Sequence, residues 1–188
     1  MSMLKLGPLI LILNLFFSIS AIAESKYAEK TKDIIRGELR KFIFSENKEV
    51  LPKPLILDAN ENMVEIGYDE DILIINFWAT WCAPCKKEMP SLNSLAQNMK
   101  YEDIQIITIA SGRNSKEAID GFFDDNNLVN LKKYRDPRGK IEVKYGVTAL
   151  PTTVVINPTG LDIGRIIGDI DWDTADVRSF FKKLLETK

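Results

Sequence analysis

Two cysteines carry the most reactive chemistry in this sequence of 188 residues, and they lie three positions apart as Cys82 and Cys85. Thiols at this spacing can form a disulfide that opens and closes in exchange reactions. The sequence contains no histidine, which excludes hydrolases with a catalytic imidazole and metal sites built on histidine. The cysteine pair therefore predicts redox chemistry carried by the two sulfur atoms.

A buried strand and a helix have to position this pair. Residues 72–78 form a nearly continuous apolar run, which is typical of a central strand covered on both faces. Residues 83–100 have apolar side chains at helical spacing, and Pro84 is acceptable in the first turn of a helix. Cys82 then lies at the helix N-terminus, where unpaired amides and the helix dipole favour its thiolate. Cys85, one turn further on, can attack a mixed disulfide.

The rest of the chain predicts further strands and helices. A hairpin is expected at residues 55–66, a second buried strand at 104–110, helices at 115–126, 140–145 and 174–186, and paired strands at 152–156 and 163–167. Apolar residues from Tyr27 to Phe44 recur at spacings of three, four and seven, which predicts one amphipathic helix. Pro52 and Pro54 end that segment.

The first 23 residues have the layout of a secretory signal. Lys5 precedes an uncharged apolar run from Leu6 to Ile19, and the small-residue site Ala21-Ile22-Ala23 follows. An uncleaved membrane anchor is the open alternative, because the apolar stretch has about the minimum length that spans a bilayer. In either case the rest of the chain faces an oxidising compartment.

Two segments together resemble a known family. Asn76-Phe-Trp-Ala-Thr-Trp-Cys-Ala-Pro-Cys-Lys-Lys-Glu-Met-Pro90 is similar to the active-site segment of the TlpA-like branch of the thioredoxin superfamily, the group of ResA, CcmG and TlpA. Tyr145-Gly-Val-Thr-Ala-Leu-Pro-Thr-Thr-Val-Val-Ile-Asn-Pro-Thr-Gly160 resembles that family's cis-proline loop and following hairpin. Two such motifs in the right order make the resemblance specific.

The resemblance implies an α/β thioredoxin-like fold, with a central mixed β-sheet flanked by helices and an added N-terminal hairpin and N-terminal helix. The expected organisation is a signal peptide or anchor at residues 1–23, a helical extension at 24–49 and a thioredoxin-like domain at 50–188.

The resemblance also implies the activity of an exported thiol:disulfide oxidoreductase, periplasmic or anchored in the inner membrane, that exchanges its Cys82-Cys85 disulfide without a cofactor. Such proteins commonly act as reductants in cytochrome c maturation or in preparing the copper sites of respiratory oxidases. The implied partners are periplasmic client proteins and a membrane thiol reductant of the DsbD or CcdA type. Nucleic acid is not an expected partner, because basic and acidic residues are interspersed and the formal net charge is −2.

Client contact is expected close to the cysteines. Trp81 is expected to cover the dithiol and contact clients. The resemblance implies a cis bond between Leu150 and Pro151, with Pro151 beside the cysteines. The Leu150 backbone would then pair with an extended client by strand addition.

One departure from the family bears on the proton chemistry. Thioredoxins proper carry a buried aspartate where this chain has Asn76, and asparagine cannot take a proton from Cys85. Glu88, one helical turn after Cys85, is the nearest candidate to help. The preferred interpretation of Glu88 is nevertheless a surface carboxylate or a member of a helix ion pair.

Several alternatives remain open from the sequence. The two thiolates could bind Cu(I), with Met89 close by, in a module that delivers metal. The same fold could also act as a disulfide oxidase or isomerase. The absence of histidine or extra positive charge between the cysteines favours a reductant. Trp78 is expected in the core, and Trp172 either contacts a partner or docks a helix.

Overall fold

The computed structural model describes residues 26–46, 50–68, 71–100 and 102–187. The strands within them are β1 Phe42–Phe44, β2 Leu55–Leu57, β3 Met63–Glu65, β4 Ile72–Trp78, β5 Ile104–Ser111, β6 Lys132–Asp136, β7 Thr152–Ile156 and β8 Asp162–Ile167. The α-helices are α1 Lys26–Thr31, α2 Ala83–Asn98, α3 Lys116–Asp125, α4 Lys140–Lys144 and α5 Ala175–Leu185. Two 3₁₀ turns, Lys32–Ile34 and Gly37–Lys41, lie between α1 and β1.

The strands form one mixed sheet in the order β1-β8-β7-β4-β5-β6-β2-β3. Strand β4 is parallel to β5, and β5 is parallel to β6, whereas the other neighbouring pairs are antiparallel. Helices α1, α2, α3 and α5 contribute buried side chains to one face of the sheet, and α4 and β2 contribute to the other. A central mixed sheet flanked by helices is therefore present, as the sequence predicts, and so is the added hairpin β2–β3.

Strand β4 is buried along its whole length. Because successive side chains of a strand alternate between the two faces, Ile74 and Trp78 pack with α2, whereas Ile75 and Phe77 pack on the opposite side. The apolar run predicted from the sequence thus needs no polar face. Strand β4 therefore holds in place the segment that leads to Cys82.

Strand β6 is absent from the sequence-based prediction. Its sequence, Lys-Lys-Tyr-Arg-Asp, lacks the apolar alternation of a half-buried strand. It nevertheless pairs in parallel with β5, from Ile107 opposite Lys132 to Ser111 opposite Asp136. Pairing with an existing strand, a tertiary effect, outweighs the local pattern here.

The prediction of one helix from Tyr27 to Phe44 is wrong. Helix α1 ends at Thr31, Gly37 has a positive φ of 54°, and Phe42–Phe44 form strand β1. Phe42 pairs with Ile166 of β8, and its ring lies 4.9 Å from that of Phe180 in α5. Tyr27, Leu39 and Phe42 are buried, whereas Ile43 is 56% exposed. The free edge of β8 offers backbone partners that a helix would leave unused.

The predicted signal peptide or anchor at residues 1–23 lies outside the described residues. Among the residues that the structure does describe, no helix has the length and apolar content needed to cross a membrane.

Candidate active site

Cys82 and Cys85 lie where β4 gives way to α2. Cys82 is the N-cap residue, with extended backbone angles, and its Sγ accepts a hydrogen bond from the Cys85 amide at 3.3 Å. The two sulfur atoms form a disulfide, with their Cα atoms 5.3 Å apart. Cys82 is 5% exposed and Cys85 is fully buried. Cys82 is therefore slightly more accessible than Cys85, and it lies at the positive end of a 16-residue helix.

The predicted client-contact residues lie at the same end of the sheet as the disulfide. Trp81 is 65% exposed, so its ring is free for contact with another protein. The Leu150-Pro151 bond is cis. Pro151 directly precedes Thr152, which pairs with Phe77 near the end of β4. The register thus places Pro151 at the same end of the central strands as Cys82.

Glu88 lies one turn after Cys85, and it is buried, with only 2% exposure. Asn76 Nδ2 donates to its Oε1 at 2.8 Å. Trp172 Nε1 donates to its Oε2 at 2.9 Å, and the Ile170 amide donates to the same oxygen at 3.3 Å. The preferred interpretation of Glu88 as a surface carboxylate or ion-pair partner is wrong, because its three donors are neutral groups inside the protein.

The environment of Glu88 changes its acidity. Burial raises the pKa of Glu88 to about 7, and the nearby charge of Asp169 acts in the same direction. The hydrogen bonds from Trp172 and Asn76 stabilise the carboxylate and oppose this shift. A carboxyl group with a pKa near neutrality can both accept and release a proton under physiological conditions.

Asn76 takes a supporting part instead of acting as a base. It is fully buried on β4, and its Nδ2 bonds Thr153 Oγ1 of β7 at 2.9 Å as well as Glu88. The carboxylate that thioredoxins proper place on this strand is thus supplied here by helix α2.

Trp172 docks inside the protein. It is fully buried, its indole bonds Glu88, and its backbone amide bonds Ser91 Oγ at 3.0 Å. The alternative of a partner contact at Trp172 is therefore wrong. Trp78 is also fully buried, with Phe122 and Phe123 ring centroids at 5.3 and 5.8 Å.

Within the described part of the chain, no group of three or more Cys, Asp or Glu side chains could hold a metal ion. The contacts of Asn76 and Trp172 with Glu88 were missed from the sequence. A polar residue inside the apolar run of β4 is the one signal that pointed to Asn76. Nothing local marks Trp172, because its partner lies 84 positions away.

Comparison with known proteins agrees with this geometry. The family model described as Thioredoxin-like matches residues 69–161. The ResA thiol-disulfide oxidoreductase of Bacillus thuringiensis subsp. konkukian (strain 97-27) is 35% identical over 119 residues, which cover 63% of this chain and 68% of that protein. The chain belongs to the thioredoxin-like family. The matched residues 69–161 include the disulfide and the cis bond.

Other members of the family are matched over smaller shares of their own length. ResA of Bacillus subtilis (strain 168) is 31% identical over 121 residues, covering 62% of this chain and 65% of the relative. The thiol:disulfide interchange protein HelX of Rhodobacter capsulatus is 31% identical over 105 residues, covering 56% and 57%. The chain therefore spans less than two thirds of the length of these two relatives.

Solved structures of the family share the fold. StoA from Bacillus subtilis superposes with a TM-score of 0.60 at 21% identity, covering 70% of this chain and 98% of that one. A thiol-disulfide oxidoreductase from Bacteroides fragilis gives a TM-score of 0.60 at 20% identity, covering 72% and 99%. The predicted thioredoxin-like fold class is confirmed.

Proposed function

We propose that this protein is a thiol:disulfide oxidoreductase that reduces disulfides of client proteins through Cys82 and Cys85. The observation that carries the proposal is the disulfide between these residues at the N-terminus of α2. Its outer sulfur belongs to the helix N-cap, beside an exposed tryptophan. The names of the relatives, thiol-disulfide oxidoreductase and thiol:disulfide interchange protein, describe the same chemistry.

The reaction begins from the reduced protein. The Cys82 thiolate attacks one sulfur of the client disulfide, and the other client sulfur leaves as a thiolate. Cys85 then loses its proton and attacks Cys82 Sγ, which breaks the bond to the client and releases the second client thiolate. Two electrons pass to the client, and the Cys82-Cys85 disulfide of the present structure is the product.

Glu88 is the proposed acceptor of the Cys85 proton. Both side chains lie on one face of α2, since residues three apart on a helix are neighbours. Cys85 and Glu88 are both buried, so bulk water has poor access to the thiol. A carboxylate whose pKa is raised to about 7 by burial has the proton affinity that this transfer needs.

The client surface consists of exposed apolar groups around the disulfide. Trp81 is 65% exposed and Ile167, at the end of β8, is 43% exposed. Ile167 pairs with Thr152, and the following Gly168 amide bonds Pro151 O at 2.8 Å. These contacts support a client site that spans Trp81, Leu150 and Pro151, in which an extended client chain pairs with the Leu150 backbone.

The proposed direction is reduction in an exported setting. Residues 1–23 would direct export, the clients would be proteins of the cytochrome c or copper-site maturation type, and a membrane thiol reductant of the DsbD or CcdA type would restore the dithiol. A pair used as a donor needs a low reduction potential. We expect a value near or below the roughly −270 mV of thioredoxin, measured by equilibration with glutathione; a value near the roughly −120 mV of DsbA would contradict the reductase.

Trapping a client tests the cysteine roles directly. Cys85→Ser removes the resolving thiol, so Cys82 is expected to retain clients as mixed disulfides in the exported compartment. The matched control is Cys82→Ser, which keeps the same number of thiols but lacks the proposed nucleophile. Both variants should fail to reduce insulin catalytically with dithiothreitol. Equal adduct formation by the two variants would contradict the assignment of Cys82 as nucleophile.

A further inference from the structure

A cleft of about 480 Å³, open to solvent, lies beside the buried Glu88. A space of this size has room for on the order of ten water molecules. Its walls come from the 3₁₀ turn Gly37–Lys41, from helix α2 and from the loop after β8. The lining residues are Glu38, Lys41, Lys87, Glu88, Pro90, Ser91, Asp169, Ile170 and Asp171.

The N-terminal segment, residues 26–46, is fastened to the loop that holds Glu88. Lys41 Nζ donates to the backbone oxygen of Asp169 at 2.6 Å. Lys87 Nζ of α2 donates to the Asp169 carboxylate at 2.7 Å. The same loop supplies the Ile170 amide and the Trp172 indole that bond Glu88. One short loop therefore connects the N-terminal segment to the hydrogen bonds of the buried acid.

Charges of both signs surround the cleft and have opposite effects on nearby carboxyl groups. Asp169 raises the pKa of Glu88 through its negative charge. Lys87 and Lys41 lower the pKa of Asp169 and so keep that charge in place while partly compensating it. The charged groups that line the cleft together with Glu88 are Lys87 of α2, Asp169 and Asp171 of the loop, and Glu38 and Lys41 of the N-terminal segment. Cys85 lies one turn before Glu88 on α2. The neutral Asn76 of β4 donates to Glu88 and to Thr153 of β7.

We propose that this cleft is the solvent entrance to Glu88, and that the N-terminal segment, through Lys41, sets how readily Glu88 takes up and releases a proton. The inference rests on the proposed function only for its purpose in catalysis. Residues 26–46 would thus influence the proton chemistry of the active site. Their strand β1 anchors them to the sheet, and the preceding 3₁₀ turn reaches the cleft.

The route balances the proton of each cycle. When Cys85 attacks Cys82, the Cys85 thiol proton passes to a Glu88 carboxylate oxygen. Glu88 has no hydrogen-bonded acceptor inside the protein among its three partners, which are all donors. The proton therefore leaves to water in the cleft, and Glu88 returns to the carboxylate for the next turnover.

The experiment follows the titration of Glu88 by carbon-13 NMR in the oxidised protein, where the cysteines do not titrate. Lys41→Gln removes one positive charge and Lys41→Glu reverses it, so the pKa of Glu88 should rise in two steps. A unit charge about 10 Å away in water shifts a titration by roughly 0.3 pH units. Asp169→Asn should shift it in the opposite direction.

Lys183→Gln is the matched control. Lys183 also pairs with the N-terminal segment, at Asp33 with 2.6 Å separation, but it does not line the cleft. Its substitution should leave the Glu88 titration unchanged, and the melting temperatures of all variants identify any that act by unfolding. If folded Lys41 and Asp169 variants titrate Glu88 like the parent protein, the inference is wrong. Because the titration is measured on the oxidised protein with no thiol present, this result does not depend on whether Cys82 and Cys85 reduce a client.

Discussion

Glu88 combines the position of a core side chain with the chemistry of an acid. A buried charge is costly unless it is hydrogen-bonded, and here three neutral donors surround the carboxylate. They offset part of the desolvation cost and leave the pKa near 7. Cys82 contrasts with Glu88, because it lies at a helix end that favours its charged form.

Glu88→Gln keeps the size of the side chain but removes the base, and its amide nitrogen replaces one of the two oxygens that accept hydrogen bonds in Glu88. We expect the attack of Cys85 on the mixed disulfide to slow several-fold at pH 7, and the dependence of its rate on a group titrating near pH 7 to disappear. Single-turnover oxidation of the reduced protein by a model disulfide, followed by tryptophan fluorescence, measures this step. Glu117→Gln, an exposed position in α3, is the control. An unchanged rate for Glu88→Gln would leave water as the base.

The loop after β8 contains no regular structure, but it supplies two of the three hydrogen-bond donors of Glu88. It positions the Ile170 amide and the Trp172 indole on one oxygen of Glu88. The position of the loop depends in turn on the hydrogen bond that the Trp172 backbone amide donates to Ser91 Oγ in α2. The loop and the helix thus hold each other in register across the site.

Trp172→Phe removes the indole donor while keeping most of the apolar packing. A hydrogen bond to a charged group contributes about 1.5–3 kcal/mol, so the pKa of Glu88 should rise by about one to two units. Carbon-13 NMR of the oxidised protein measures the shift. Trp78→Phe is the control, because Trp78 is equally buried but does not bond Glu88. Equal titrations in the two variants would refute the donor role of Trp172.

Strand β1 can pack closely against β8 because β8 has a glycine, Gly164, opposite Phe44. A Cβ at Gly164 would lie 2.4 Å from the Ile43 backbone oxygen and 2.6 Å from the Phe42 ring. Backbone approach this close leaves no room for a methyl group. Gly164 therefore allows β1 to approach β8 closely enough to pair with it.

Gly164→Ala should displace β1 and destabilise the protein by about 1–3 kcal/mol, as overpacking does. Urea unfolding measures the change, and amide exchange should increase in residues 42–44 first. Gly121→Ala in α3 is the control, because nothing lies within 4 Å of its Cβ position. It should raise stability by roughly 0.5–1 kcal/mol. A Gly164 variant as stable as the parent would argue against close packing of β1.

At the scale of the whole molecule, Glu88 links the active site to stability. The two core clusters, one on each face of the sheet, are almost entirely apolar, and Glu88 and Asn76 lie next to one of them. Its pKa is 4.5 in the unfolded chain and about 7 in the folded protein, because burial disfavours the charge. The folded state therefore binds more protons than the unfolded state between these two values.

Stability should consequently fall as the pH rises from 4.5 to 7, by an amount on the order of 3 kcal/mol for a shift of this size. Urea unfolding of the oxidised protein at pH 5 and pH 8 measures the difference. Glu88→Gln should flatten the profile in this range, since glutamine does not titrate. The aspartates with lowered pKa, such as Asp58 and Asp120, act in the opposite direction but at lower pH. A profile that keeps its slope in the variant would assign the effect to another group.

The sequence by itself determined the parts of the protein that depend on neighbours along the chain. The buried strand β4, the helix that follows it and the N-terminal position of Cys82 all follow from apolar spacing and helix-end chemistry within about 30 residues. The disulfide pair was expected from the spacing of the two cysteines, and the cis bond before Pro151 from the resemblance of a short motif to a known family. The strand and the helix were predicted correctly in place because their causes are local.

Only the tertiary structure decided the environment of Glu88 and the form of the N-terminal segment. Glu88 is buried because Asn76, 12 positions before it, and Trp172, 84 positions after it, converge on its carboxylate. Residues 42–44 are extended because the edge of β8 pairs with them. Burial and strand pairing are properties of surfaces that meet only in the folded chain, and periodicity along the sequence does not encode which surfaces meet.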